Sequence, residues 1–385
     1  MSRTIFRKEC PSIVLICLTS LRSLFGVIRK LNVPKIFMAN KYQVRKLQSS
    51  DEASYANFVD RKGGSLLFQS LSYLKLIREL TSSKQETLLV VDQEETIKGV
   101  LPILSATGKF GTVYNSLPYY GSNGGIIGQD DEAVKILLQS YNDLVRSTET
   151  AASTLIENPL QTPLSEDSIN HSLLDSRIGQ FTNINHSSNR DEKLMESFHY
   201  KTRNMVRKAQ KSGFSIEIEN DSLEFLEEIH KINMKGIGGR AKKGTFFSSI
   251  PKYFEKEKDY KIWVARFKNE PVSALLVFYY QETVEYYLPV TIEKFRDKQP
   301  LSLLIFEAMK EAALRGYKLW NWGGTWASQV GVHRFKKRWG TEDRIYNYYT
   351  QINNKEIYKA SSFELLEQYG DFFVVPFQFL TENSG

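Results

Sequence analysis

Apolar and polar positions follow two rhythms in this chain, and the pair of rhythms recurs. Leu88-Leu-Val-Val-Asp and Ile97-Lys-Gly-Val-Leu-Pro-Ile-Leu flank a polar turn at residues 93–95, which predicts a hairpin over 87–105. A glycine-rich stretch, Leu117-Pro-Tyr-Tyr-Gly-Ser-Asn-Gly-Gly-Ile-Ile-Gly, reads as a loop. A helix over 132–146 follows, with Val134, Ile136, Leu137, Tyr141 and Leu144 on its apolar side, and then a strand at 153–157. From about residue 260 the order returns. Strands are expected at 262–266, 272–280 and 283–290. Pro300 opens a helix that Gly316 closes, with Leu301, Leu304, Ile305, Ala308, Met309 and Ala312 spaced for one buried face. The recurrence predicts two copies of one mixed α/β unit. Ahead of the first copy, a strand at 42–47, a helix capped by Ser50 or Asp51 and a helix at 71–80 are expected.

Between the copies, Phe198-His-Tyr-Lys-Thr-Arg-Asn-Met-Val-Arg-Lys-Ala-Gln-Lys-Ser-Gly predicts a cationic helix ending at Gly213. An acidic helix at 221–234 and a basic loop at 235–244 come next. Such a loop can close over a phosphate or serve as a linker. Near the end of the chain, residues 317–322 read as a short aromatic strand, Gly323 and Gly324 as a sharp turn, and 329–340 as a helix. That helix carries His333, Arg334, Lys336, Lys337 and Arg338 beside Phe335 and Trp339. Strand, glycines and cations together suggest an anion-binding corner. The plainer alternative is that Phe335 and Trp339 face a core while the cations are solvated.

Composition sharpens this only in part. With 385 residues the chain has room for two domains. A net charge of +7 favours an anionic partner. Two cysteines, Cys10 and Cys17, give neither a disulfide framework nor a zinc spacing, and the five histidines form no ligand pair, so no metal and a reducing compartment are expected. No Walker motif and no Gly-x-Ser-x-Gly elbow occurs. Residues 1–37 are basic and apolar, but the uncharged run before Arg22 is shorter than a spanning helix. An upstream extension, a membrane-surface anchor and a signal sequence remain open for them.

Three stretches together resemble the Fem-type (FemABX) peptidoglycan-bridge aminoacyltransferases. They are Lys201-Thr-Arg-Asn-Met-Val-Arg-Lys-Ala, the Leu117-Pro-Tyr-Tyr-Gly loop, and Trp322-Gly-Gly followed by Gly331-Val-His-Arg-Phe-Lys-Lys-Arg-Trp-Gly. The resemblance spans roughly residues 42–375. It implies two tandem acetyltransferase-like (GNAT) domains of α/β (α+β) class, each a mixed, mostly antiparallel sheet flanked by helices. The expected division is an extension at 1–40, domains at 41–195 and 196–375, and a tail at 376–385. It also implies transfer of an aminoacyl or acyl group onto an amine of a nucleotide- or lipid-linked envelope precursor. The implied enzyme holds no bound cofactor, takes aminoacyl-tRNA as co-substrate, and works as a monomer in the cytoplasm or at the inner membrane face. By motif position, Phe335 and Lys336 match the pair at the catalytic cleft. Arg203, Asn204, Arg207, Arg240, Tyr119, Tyr120, Gly121, Tyr286, Tyr287, Trp322, Gly323, Gly324 and Arg338 are the expected substrate-binding residues. The family often has an acidic residue where this chain has Asn321, and some members carry a helical arm for which residues 244–260 are too short.

An amine attacking an ester or thioester passes through a tetrahedral oxyanion, and it must be neutral to attack. Lys336 is the expected cation at that oxyanion. His333 is a weaker candidate for a base. The stretch Phe295-Arg-Asp-Lys-Gln-Pro-Leu, ahead of the second central helix, lacks the glycines that would bring amides to a CoA pyrophosphate. Acyl-CoA is therefore the alternative donor and not the first. Two other readings stay open: a CoA-dependent N-acyltransferase acting on an amino sugar, and a non-catalytic nucleic-acid-binding module.

Overall fold

A computed structural model describes residues 41–119, 123–185 and 190–376. The expected extension at 1–40, the tail beyond 376, and Tyr120 and Gly121 lie outside the described residues.

The first half begins with β1 (Gln43–Lys46), α1 (Glu52–Arg61), α2 (Leu71–Thr81) and β2 (Lys84–Gln85). It continues through β3 (Leu88–Val91), β4 (Ile97–Leu101), β5 (Leu104–Gly108) and β6 (Gly111–Asn115). It ends with β7 (Ile127–Gly128), α3 (Asp131–Val145), β8 (Thr150–Ile156) and β9 (Leu173–Asn183). The Ser70 hydroxyl accepts from Tyr73 N to cap α2, and the Asp130 carboxylate accepts from Ala133 N to cap α3. Asp51 precedes α1 but does not cap it as expected. Its carboxylate instead accepts from Gln48 N and pairs with Arg45. The expected hairpin is present, and Pro102 separates β4 from β5, because proline has no N–H to continue a ladder.

The second half runs α4 (Arg190–Ser197), α5 (Tyr200–Gln210), β10 (Phe214–Ile218), α6 (Leu223–Gly236) and α7 (Gly244–Tyr253). Then come β11 (Tyr260–Phe267), β12 (Glu270–Tyr280), β13 (Thr283–Thr291) and α8 (Pro300–Leu314). It closes with β14 (Leu319–Trp326), α9 (Val330–Lys337), β15 (Thr341–Ile352) and α10 (Ser362–Tyr369). One sequence expectation is corrected here. Gly323 and Gly324 do not end a strand; β14 runs through both of them, with a register shift between Asn321 and Gly324.

Four strands form a small sheet ordered β1-β3-β4-β7. Eleven form a large one ordered β10-β11-β12-β13-β14-β9-β15-β8-β6-β5-β2. Its neighbours are antiparallel except at two places, β6 beside β8 and β13 beside β14. Each parallel pair is linked through a long helix, α3 in one case and α8 in the other. The two halves also exchange strands. β9, from the first half, lies between β14 and β15 of the second, and β15 in turn pairs with β8 of the first.

Two apolar clusters cover the two faces of β11–β13. Trp263, Leu275, Val277 and Val284 pack with Leu304, Ile305 and Met309 of α8 and Val206 of α5. Ile262, Val264, Leu276 and Phe278 pack with Phe246 and Phe247 of α7 and reach Tyr55 and Leu74 of the first half. Each fully buried leucine, isoleucine or phenylalanine contributes about 1.5–3 kcal/mol relative to exposure. A third cluster lies under α3, between Leu137 and Tyr141 and residues of β1, β3 and β4.

Candidate functional site

The parallel pair β13 and β14 is bonded over only three registers, ending at Glu285 opposite Asn321. One residue further, β13 carries a bulge. Leu276 of β12 faces Leu288, Val277 faces Tyr286, and Tyr287 is left without an opposite number. The extra residue changes which face the side chains meet. Val284 and Tyr286 pack toward α8 and the tryptophans, whereas Tyr287, Leu288 and Val290 pack toward α7 and the first half. The end of β13–β14 pairing therefore has tyrosines on both faces and a carboxyl group at the fork.

That carboxyl group, Glu285, is almost wholly buried. Burial pushes its pKa up to about 8, against small opposing pulls from Asn321 and Thr283. No cation pairs with it among the described residues. Asn321 stands where the resembled family often has an acidic residue. Its side-chain oxygen accepts from Gly323 N at 2.8 Å, so it holds the bulged glycine backbone in place. The sequence reading missed Glu285. Its signal was a single charge inside an otherwise apolar and aromatic strand.

Lys336 is also buried, pointing inward from α9. Its Nζ donates to Gly323 O at 3.3 Å, Gly324 O at 3.2 Å and Thr325 Oγ1 at 2.8 Å. Burial pushes its pKa down to about 8. All three of its donors are engaged, so an oxyanion or substrate carboxylate would have to replace one of these acceptors. The glycine carbonyls thus face a lysine, and the expected anion-binding corner is filled by the protein's own groups. Gly324 has no room for a side chain, since a Cβ there would lie 2.0 Å from the Tyr346 hydroxyl. Phe335 packs edge-on against Trp322 at 6.0 Å and Trp339 at 6.4 Å. The Trp322 indole donates to Thr182 Oγ1 at 2.9 Å and lies 4.8 Å from Tyr286. The core-facing reading of Phe335 and Trp339 therefore fits this helix, while Arg334 and Lys337 are exposed. His333 bonds Asp343 through Nε2 at 3.0 Å on the outer side of α9.

The cationic helix α5 is tied to the far end of α9. His199 N and Thr202 Oγ1 both donate to the carbonyl of Arg338. Arg203 turns back onto Phe198 O, while Asn204 and Arg207 are exposed. These residues share a neighbourhood with Arg338. None of them touches the fork of β13 and β14.

Tyr119 lies elsewhere, against α7 and the bulge. It is a buried, non-glycine residue at φ +85°, and Leu117, two residues before it, is at φ +70°. Left-handed backbone of this kind costs energy and collects at functional sites. Tyr119 N donates to Asp371 O at 2.9 Å. Its ring stacks on Phe246 at 6.0 Å, and Phe246 stacks on Tyr287 at 5.6 Å. Lys242, from the loop after α6, sets its Nζ among these three rings. Arg240 is 3.8 Å from Asp371. Three segments distant in sequence build this group, so no local pattern announced Lys242 or Phe246.

The start of α8 does not form an amide cradle for a pyrophosphate. A tight helical turn at Glu293–Lys298 leads into it, Gln299 sits at φ +61°, and Pro300 at the first helical position has no N–H.

Residues 196–337 match the family model described as Acetyltransferase (GNAT) domain. Residues 196–337 form a GNAT acetyltransferase domain by this match. No curated protein matches the sequence. Among solved structures, the fold resembles that of FemX, with a TM-score of 0.61 at 17% identity, over 85% of this chain and 100% of that one. It also resembles the C-terminal domain of a putative lysylphosphatidylglycerol synthetase from Agrobacterium fabrum. There the TM-score is 0.53 at 10% identity, over 85% of this chain and 99% of that one. A conserved protein of unknown function from Bacteroides thetaiotaomicron matches with a TM-score of 0.51 at 11% identity, over 80% and 99% of the two chains. The GNAT assignment makes the chain an acyltransferase. In its GNAT domain the central parallel pair is β13–β14 and the linking helix is α8. Among the described residues no helix is long and apolar enough to cross a membrane.

Proposed function

We propose that this chain moves an aminoacyl or acyl group onto an amine of a cell-envelope precursor, forming an amide, at the fork of β13 and β14. The observation that carries this reading is the unpaired, buried carboxyl of Glu285 at the last bonded register. A carboxyl group in water is too weak a base for an alkylammonium. Burial makes Glu285 a stronger one, with an affinity for protons near the working pH, where general bases are most effective. Glu285, when ionised, would take a proton from the alkylammonium, and the neutral amine nitrogen then bonds to the ester carbonyl carbon. The carbonyl oxygen becomes an oxyanion on attack; as it collapses, the C–O bond to the ester oxygen breaks and that oxygen takes the second proton lost by the nitrogen. Lys336 is the nearest fixed cation to the glycine strand, and one such donor can contribute about 3–4 kcal/mol at an oxyanion. Alignment of the two reactants can supply about 7–11 kcal/mol more.

Aminoacyl-tRNA as donor is supported by the cationic surface of α5 and by the proline-opened start of α8. The likeness to FemX concerns the fold. A second reading, CoA-dependent acylation of an amino sugar, is favoured by the acetyltransferase description of the matched family. One assay separates them. The full chain is incubated with envelope-precursor extract and either charged tRNA or acyl-CoAs, and new amide adducts are sought by mass spectrometry. An adduct that requires charged tRNA and is lost with ribonuclease supports the first reading. One that requires acyl-CoA replaces it with the second. Absence of an adduct with either donor, across nucleotide- and lipid-linked acceptors, would overturn both and favour a binding role for the basic helices.

A further inference from the structure

Lys242 is a cation whose Nζ has no ion-pair partner among the described residues. Its half-buried Nζ lies 4.2 Å from the ring centroid of Tyr119, 5.0 Å from that of Phe246 and 5.3 Å from that of Tyr287. Among the described residues its Nζ forms no hydrogen bond or ion pair, and Asp371 acts on it only from beyond ion-pair distance. The nearest carboxylate, Asp371, is shared by Arg240 at 3.8 Å and Lys243 at 4.0 Å. His230 is engaged with the loop backbone, its Nε2 accepting from Lys242 N at 3.1 Å. The rings come from three well-fixed places. Tyr119 is pinned through its backbone to Asp371, Phe246 is buried in α7, and Tyr287 is the bulge residue of β13. Its hydroxyl also lies 3.4 Å from that of Tyr73. The lysine belongs to the segment between α6 and α7, which has no regular structure.

Fixed rings around a mobile-type side chain are the arrangement by which proteins bind alkylammonium ions, because ring faces attract a cation without needing a hydrogen bond. We propose that Tyr119, Phe246 and Tyr287 form an ammonium-binding box, that Lys242 is its internal occupant, and that a ligand's alkylammonium group enters by displacing Lys242. The box stands apart from any catalytic claim; only the identification of its ligand with the acceptor amine rests on the transfer reading above. The site is one residue along β13 from Tyr286 and two from Glu285. An ammonium held there would thus be delivered close to the fork. Burial also pulls the Lys242 pKa down to about 8 against the raising pull of Asp371, so an amine held there releases its proton more readily than in water.

The test uses the full chain and two probes of the same shape, choline and its uncharged analogue 3,3-dimethylbutan-1-ol. Saturable thermal stabilisation is measured for the wild type, Lys242→Ala and Lys242→Ala/Phe246→Leu. Lys242→Ala should respond to choline at least tenfold more strongly than to the neutral analogue. The wild type should need at least tenfold more choline, and the double variant should lose the response. Lys242→Ser replaces Lys242→Ala if the latter does not fold. Equal responses to the two probes, no response in the emptied box, or equal choline affinity in wild type and variant would each overturn the proposal. Choline binding in a chain that yields no amide adduct would uphold the box and remove only its assigned ligand.

Discussion

Glu285 holds its proton to higher pH than an exposed carboxyl because burial removes the water that a carboxylate needs. The consequence for stability has a definite sign. Its folded pKa, about 8, lies above its ordinary value of 4.5. The folded state therefore binds more protons than the unfolded state between these pH values. The stabilisation is complete below about pH 4.5 and is lost as pH rises through 8. Glu285→Gln should flatten this slope, gaining on the order of a few kcal/mol over wild type at pH 9 relative to pH 5. Denaturant titrations at the two pH values check it. If Glu285 is the base, the same variant should also lose transfer activity by roughly a hundredfold or more. Lys336→Ala should abolish transfer and leave the Gly323 and Gly324 carbonyls without a donor, at about 1–3 kcal/mol. Full activity in that variant would remove Lys336 from the site. At this scale the sequence was partly legible. Motif position led to Phe335 and Lys336, and the end of a central strand led to the tyrosines of β13. It did not reveal that Lys336 turns inward onto carbonyls, because that depends on where β14 lies.

The elements show where local pattern stops being sufficient. α8 and the strands β11, β12 and β13 were readable because apolar spacing and terminal Pro and Gly all agreed. β6, β9 and β15 were not read as strands. In β9, Leu-Leu-Asp-Ser-Arg-Ile-Gly-Gln-Phe-Thr-Asn alternates poorly and contains a glycine. It is a strand because β14 and β15 flank it, which is a fact about residues more than a hundred positions away. β14 was shortened in the reading because two glycines usually signal a turn. Gly323 is required by its φ of +71° and Gly324 by space, and the second can be measured. Gly324→Ala should destabilise the chain by about 1–3 kcal/mol through its clash with the Tyr346 hydroxyl. Tyr346→Phe should recover part of that loss in the double variant, because it removes the closest atom. A double-mutant cycle with simple additivity would contradict this account.

For the molecule as a whole, the recurrence of hairpin, helix and strand gave the two-unit α/β plan, and the two parallel pairs follow it. What the recurrence concealed is that the units do not close separately. A fragment of residues 196–385 lacks β9, so β14 and β15 have no strand between them. Expressed alone, it should fail to give a soluble species with a cooperative unfolding transition, and co-expression with residues 1–195 should restore one. A well-behaved lone fragment would show that β9 is dispensable.

The exchange of β9 and β15 also sets a schedule for synthesis. When β8 and β9 leave the ribosome, their sheet partner β15 has not yet been made. At ordinary elongation rates that partner follows roughly ten to thirty seconds later. Throughout this interval the nascent first half exposes unpaired strand edges that other chains can join. Slowing translation between residues 183 and 341 should therefore lower the soluble yield, whereas holdase chaperones that shield strand edges should raise it.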